Sequence, residues 1–229
     1  MAGRSYKTEA VVLRSFRLGE ADRVLHLYTL ERGRIGAVAK GIRKTKSRFG
    51  ARLEPLSHVD LMLHQGAGEL QTVTGVQLIR SHHEVREQQY RLGVGLLGAE
   101  AMLRLFTEQE GNARAFQALT RFLDLVEGLE PRSARAAFDP LALSFQLKLL
   151  WLSGYLPHLT SCADCGSETE PLVGYSPAGI TGIEALLARP LGEAGDVGLA
   201  ERSARDALTV ITSAYEYFGN FRLRTLRSA

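Results

Sequence analysis

The stretch KGIRKTKSRFGAR, Lys40 to Arg52, holds six basic side chains, no acidic one and a single aromatic ring. Six like charges repel one another unless an anion lies among them, and a run of phosphates is the anion that fits. Single-stranded nucleic acid binding needs cations that follow the phosphates and aromatic faces for the bases. Lys40, Arg43, Lys44, Lys46, Arg48 and Arg52 supply the cations, and Arg14, Arg17 and Arg23, with Phe16, extend the same set. Phe49 serves either as a stacking face or as the anchor of the loop on the domain beneath it. The competing reading is a solvated loop that keeps the chain soluble. Gly41 and Gly50 and the lack of an apolar period argue against a helix here.

Two other patterns carry less. Cys162-Ala163-Asp164-Cys165 is one zinc knuckle, half of a tetrahedral site. The chain has no other cysteine; His158 and Asp164 are an improvised third and fourth ligand, so two free thiols are favoured over a bound ion. A redox role for CxxC needs a βαβ setting that is absent. Gly93-Val94-Gly95-Leu96-Leu97-Gly98 spells G-x-G-x-x-G, but no strand precedes it and the surrounding run is apolar and helical. Small residues for close helix packing explain it better. No G-x-S-x-G, P-loop, HExxH or paired-carboxylate pattern occurs, so no enzyme is expected.

These residues need a frame. The chain has 229 residues, 45% hydrophobic and 23% charged, an ordinary balance for a globular protein. Its net charge of +3 hides a division: residues 1–52 hold 13 basic against 4 acidic residues, +9, and the remainder holds 15 against 21, −6. A basic unit on an acidic body implies one polyanion-binding face. No apolar run is long enough for a membrane span, and MAGRSYKTEAVVL lacks the features of a signal peptide. With the cysteine usage, this predicts a cytoplasmic protein.

To about Ser81 the period is that of strands. Runs at Tyr6 to Arg14, Arg23 to Leu30, Arg34 to Lys40, His58 to His64 and Glu69 to Ile79 predict five, with the longest loop between the third and fourth. That pattern fits a small closed barrel of the OB type. After His83 the period becomes helical: Leu92 to Phe106; a stripe at Phe116, Leu119, Phe122, Leu123 and Val126; another at Phe138, Leu141, Phe145, Leu149 and Leu152; a last at Leu208, Ile211, Tyr215 and Phe218. The expected class is α+β and multidomain. A nucleic-acid-binding barrel spans 1–81 and an all-α domain 82–156. A degenerate zinc-finger-like loop is inserted at 157–182, and helices at 183–229 complete the helical domain.

The N-terminal run YKTEAVVLRSFRLGEADRVLHLYTLERGRIGAVAKGIRKTKSRFGARLEP, with HVDLMLHQGAGELQTVTG and the closing YEYFGNFRLRTLRS, resembles the bacterial recombination mediator family RecO. The resemblance covers nearly the whole chain and is most specific over residues 6–80. It implies a three-part protein that binds single- and double-stranded DNA, anneals complementary strands, and acts with RecR to load RecA onto DNA coated by SSB. It also implies that the helical domain holds the acidic C-terminal tail of SSB, for which Arg121 and Lys148 are offered from charge and position. Expected partners are therefore DNA, RecR, the SSB tail and, indirectly, RecA, with no membrane, in a nucleoid-associated cytoplasmic protein. Many members carry a second CxxC after a segment like Val173-Gly174-Tyr175-Ser176-Pro177; here YSPAG runs through ITG into IEALLARPL, so Cys162 and Cys165 remain a half-site and no cofactor is expected. The alternative class is an OB-fold RNA-binding module with a helical docking platform.

Overall fold

A computed structural model describes residues 4–106, 110–159 and 176–227. The five strands are β1 (Arg4–Leu18), β2 (Asp22–Thr29), β3 (Gly33–Ala39), β4 (His58–Gln65) and β5 (Gln71–Arg80), closed into a barrel in the order β1-β2-β3-β5-β4. All neighbours are antiparallel except β3 and β5, which run parallel and pair only at Ala37 with Gln71 and Val38 with Thr72. Closure removes the unpaired edges that an open sheet of this size would expose.

β1 is longer than its apolar run predicts, for a physical reason. Arg4–Val11 pairs with β4, Ala10–Leu18 pairs with β2, and a register shift between Val12 and Arg14 turns the strand from one partner to the other. β4 alternates as expected: Val59, Leu61 and Leu63 are buried, and His58, Asp60, Met62 and His64 face outward. The barrel core adds Ala10, Val12, Leu25, Leu27, Ile35 and Val73.

By contacts the chain divides into two compact units: residues 1–87 with 102–127, and residues 88–101 with 128–229. Helices α1 (His83–Glu87) and α3 (Ala113–Glu127) fall in the first, so α3 belongs with the barrel rather than with the other helices. The α3 stripe of Phe116, Leu119, Phe122, Leu123 and Val126 is buried as its spacing predicts, and the Phe116 ring meets His58 of β4 edge-on at 5.6 Å. Arg80 of β5 bridges Asp124 and Glu127 of α3, each at 3.3 Å. Two glycines close the same unit. A Cβ on Gly33 (φ +61) would lie 2.2 Å from the Glu110 carbonyl oxygen, and one on Gly111 would lie 2.2 Å from that of Glu31. Only residues without a Cβ let these backbones touch.

Helix α2 (Gln89–Leu105) contributes residues up to Ala101 to the second unit. The G-x-G-x-x-G look-alike lies inside it, as the sequence predicts. In the second unit α4 (Pro140–Leu152) is buried on nearly every side and packs against α5 (Pro177–Ala188) and α6 (Glu201–Gly219). Phe138 lies outside α4: Asp139 caps the helix by accepting from the Leu141 N–H at 2.8 Å, and Pro140 opens it. The buried Asp139 carboxylate also accepts from the Tyr90 hydroxyl at 2.7 Å. The loop expected to reach Gly182 stops sooner, because Ser176 caps α5 and Pro177 starts it, the Ser176 hydroxyl donating to Asp206 at 2.6 Å. On α6, Ile211 and Tyr215 are buried but Phe218 is exposed and stacks on Tyr155 at 5.4 Å.

Candidate nucleic-acid interface

The long connection from β3 to β4 is fastened to the barrel by apolar side chains. Ile42, Phe49 and Leu53 all enter the barrel core. Phe49 is 1% exposed, so it offers a base no face and acts as the anchor of the loop, not as a stacking ring. Its backbone N–H donates to the Ser47 hydroxyl oxygen at 3.2 Å. Between the anchors at Ile42 and Phe49 the chain is held at both ends, and Arg43, Lys44, Lys46 and Arg48 are exposed on it. The apolar positions were visible in the sequence, but their role depends on which way the loop folds back.

The cations divide by what they already hold. Arg43 donates to the Glu20 carbonyl at 2.8 Å and the Gly19 carbonyl at 3.4 Å, tying the long loop to the β1–β2 turn. Asp22 supports the same junction by accepting from the Gly41 N–H at 2.7 Å. Arg52 donates to the Arg48 carbonyl at 3.1 Å, and the Arg48 guanidinium sits 4.9 Å from the centre of the Phe49 ring. One guanidinium nitrogen of Arg23 donates to both Glu54 carboxylate oxygens, at 3.1 and 3.2 Å. That pair has a local cause: Arg23 stands opposite Arg17 across the ladder, and like charges so placed destabilise a sheet unless neutralised. Lys40, Lys44 and Lys46 are exposed and form no ion pair among the described residues.

The aromatic face lies on the strands. Phe16, 37% exposed on the outer side of β1, meets the His26 ring edge-on at 5.3 Å, and the Arg14 guanidinium lies 4.3 Å from its centre. Register explains the trio, since Arg14 stands opposite His26 in the β1–β2 ladder. His26 was not among the residues expected from sequence; the pairing register is the signal that finds it. The end of the barrel formed by the β1–β2 turn and the β3–β4 loop therefore combines exposed cations with an exposed ring.

The other expected site residues fall in separate units or outside the described residues. Arg121 is exposed on α3 in the barrel unit, whereas Lys148 is half-buried on α4 in the other unit. The Lys148 ammonium donates to the Leu187 carbonyl at 2.6 Å, and burial holds its pKa below the usual lysine range. Cys162, Cys165 and Asp164 lie outside the described residues, as does most of the expected zinc-finger-like loop; His158 is exposed. Among the described residues no three His, Cys, Asp or Glu side chains gather as metal ligands, and no helix is long and apolar enough to cross a membrane.

Comparison with known proteins decides the family. The model described as Recombination protein O N terminal matches residues 1–82, and Recombination protein O C terminal matches residues 86–226. The chain belongs to the Recombination protein O family. The DNA repair protein RecO of Rubrobacter xylanophilus is 43% identical over 163 residues, covering 71% of this chain and 63% of that protein. That of Nocardioides sp. is 40% identical over 164 residues, 71% of this chain and 65% of the relative. In Frankia casuarinae the match is 39% over 205 residues, 89% and 81%. The chain thus spans just under two thirds of the length of the first two RecO relatives.

Proposed function

We propose that this RecO-family chain is a DNA-repair and recombination mediator that binds single- and double-stranded DNA through the end of its barrel and anneals complementary strands without covalent chemistry. The observation that carries the reading is the loop held at Ile42 and Phe49 with Lys44, Lys46 and Arg48 exposed between the two anchors. Neutralising phosphates on two strands lowers their repulsion and lets bases pair, so annealing needs no nucleophile, acid or base. The strand order β1-β2-β3-β5-β4 supports an OB-type barrel, a frame whose strands and loops bind oligonucleotides. Phe16 and His26 supply the stacking surface with Arg14 over the Phe16 ring, and Arg17, Lys40, Arg43 and Arg52 add cations from β1 and the β3–β4 connection.

Membership of the family supports the remaining roles: action with RecR to load RecA on SSB-coated DNA, a helical domain that receives the acidic SSB tail, and a cytoplasmic, nucleoid-associated location. Arg121, exposed on α3, and Lys148, half-buried on α4, are the cations offered for that tail. Zinc is not part of the reading, because the only two cysteines are half of a four-ligand set.

The test is fluorescence anisotropy of labelled oligo-dT over a salt series. Replacing Lys44, Lys46 and Arg48 together by Ala is expected to flatten the logarithmic salt slope by about 2, at about 0.7 per phosphate contact on single strands. Tight binding with an unchanged slope would move the strand to another face. Competition by an RNA of matched length separates this reading from a general RNA-binding module.

A further inference from the structure

Opposite the basic loop, the barrel has a second feature that the reading above leaves unused. β3 and β5 pair at only two positions, so the first half of β3, Gly33 to Gly36, runs past the start of β5 without a ladder. A cavity of about 240 Å³ opens there, lined by Arg32, Arg34, Gly36, Gln65, Glu69 and Gln71 among others. Gly36 forms part of its wall, and a Cβ there would lie 2.6 Å from a methyl of the exposed Leu70 side chain, which leans over the strand.

The lining has a consistent polarity. The Tyr6 hydroxyl donates to the Gln71 side-chain oxygen at 2.6 Å, and Arg32 donates to the Gln65 side-chain oxygen at 3.3 Å. Both amides thus have their acceptor ends occupied within the protein and their N–H2 ends without a protein partner among the described residues. Gln71 is 7% exposed, yet its amide nitrogen is not sealed from solvent, so its N–H2 is presented to the cavity. The Arg32 guanidinium lies 3.7 Å from the centre of the Tyr6 ring, which fixes its plane, and only one of its five N–H groups is used by Gln65. Arg34 is positioned by its bond to the Leu103 carbonyl. The carboxylate of exposed Glu69 is the one side-chain anion in the lining.

A pre-ordered guanidinium beside two amide donors, in a small half-open cavity, is complementary to a compact oxyanion. We propose that this cavity is a seat for a single phosphate group carried by a nucleic-acid strand, a second contact at the far end of β3 from the basic loop. The assignment to a strand rests on the nucleic-acid reading above; the oxyanion chemistry of the cavity does not.

The experiment follows the side-chain amide signals of Gln65 and Gln71 by nuclear magnetic resonance in the full chain, titrated with inorganic phosphate. Both are expected to shift and saturate, with Arg32→Ala weakening the response about tenfold, the scale of one charge-assisted hydrogen bond. Arg32→Lys keeps a charge over Tyr6 but removes the fork, and carries the same test should loss of the ring contact unfold the barrel. Glu69→Gln is expected to tighten phosphate about threefold, as removal of one solvent-screened like charge does. Amide signals that stay still while those of the loop lysines move would overturn the seat. The triple loop variant keeps the phosphate response, so failure of the loop and failure of the cavity read out separately. For the source, Arg32→Ala is expected to lower the oligo-dT salt slope by about 0.7; a phosphate response with an unchanged slope, or with no oligonucleotide binding at all, would overturn the strand assignment and leave free phosphate as the ligand.

Discussion

The two ends of β3 hold their cations in different ways. At the Lys40 end the chain is irregular, Lys40, Lys44 and Lys46 stand in solvent, and each can swing to meet a phosphate wherever it lies. At the Arg32 end a guanidinium is stacked on Tyr6, bonded to Gln65 and set against a cavity of defined volume. Seven residues of strand separate Arg32 from Lys40, about 26 Å at the usual rise per residue. Mobile cations yield affinity that falls steeply with salt and tolerates any sequence or path. A pre-ordered donor set loses less freedom on binding and fixes position instead. A strand that engages both ends is gripped loosely at one and registered at the other.

Within the basic end the same contrast recurs, since Arg23 and Arg43 are used to build the platform and the lysines are left to work on it. Breaking the platform should therefore have the largest effect. Phe49→Ala removes a fully buried ring and is expected to destabilise the barrel unit by about 3–5 kcal/mol, read from the urea midpoint, and to release the loop with all its charges intact. Next comes Phe16→Ala. If its ring stacks a base, oligo-dT affinity falls by about 1–3 kcal/mol with no change in salt slope; a changed slope would mean that Arg14, not the ring, makes the contact. A smaller effect, of opposite sign, is expected at Glu54. Glu54→Gln frees Arg23 and should steepen the slope by up to about 0.7, and no change would show that Arg23 points away from the strand.

The smallest effect concerns pH, and it sharpens the comparison because it touches the barrel away from both ends. His82 is 0% exposed, and neither ring nitrogen has a hydrogen-bond partner among the described residues. Burial lowers its pKa from the ordinary 6.5; Glu127 and Asp124 of α3 oppose that shift, and Arg80 of β5 and His58 of β4 reinforce it. The unfolded chain therefore binds a proton at His82 that the folded chain resists. Stability should be highest above pH 6.5 and decline as pH falls below it toward the lowered folded value. Thermal unfolding at pH 7.5 and at pH 5.5 checks this: His82→Leu should shrink the difference, and an unchanged difference would assign it to other groups.

Much of the barrel was legible in the sequence because strand periodicity is local. Val59, Leu61 and Leu63 alternate with polar residues in the chain and face inward in the structure. The stripe on α3 was equally plain, yet no local pattern says which partner an amphipathic face will choose, and α3 chose the barrel. Phe49 shows the limit most sharply. A lone ring among six cations has the composition of a stacking site, and only the return of the loop over the barrel mouth makes it an anchor. Lys148 looked like a free cation on an amphipathic helix, but α4 is enclosed on most sides and its ammonium is turned to a carbonyl.

What the residues determined alone was a concentrated positive charge in the first 52 residues and two successive periods, strand and then helix. Charge and periodicity are properties of neighbours along the chain, so they survive without a fold. The tertiary structure decided which cations are spent and which are available, that exposed Phe16 beside half-buried His26, rather than Phe49, forms the aromatic face, and that Arg32 borders a donor-lined cavity. Those outcomes depend on residues tens of positions apart meeting through strand register and barrel closure, where geometry rather than composition decides.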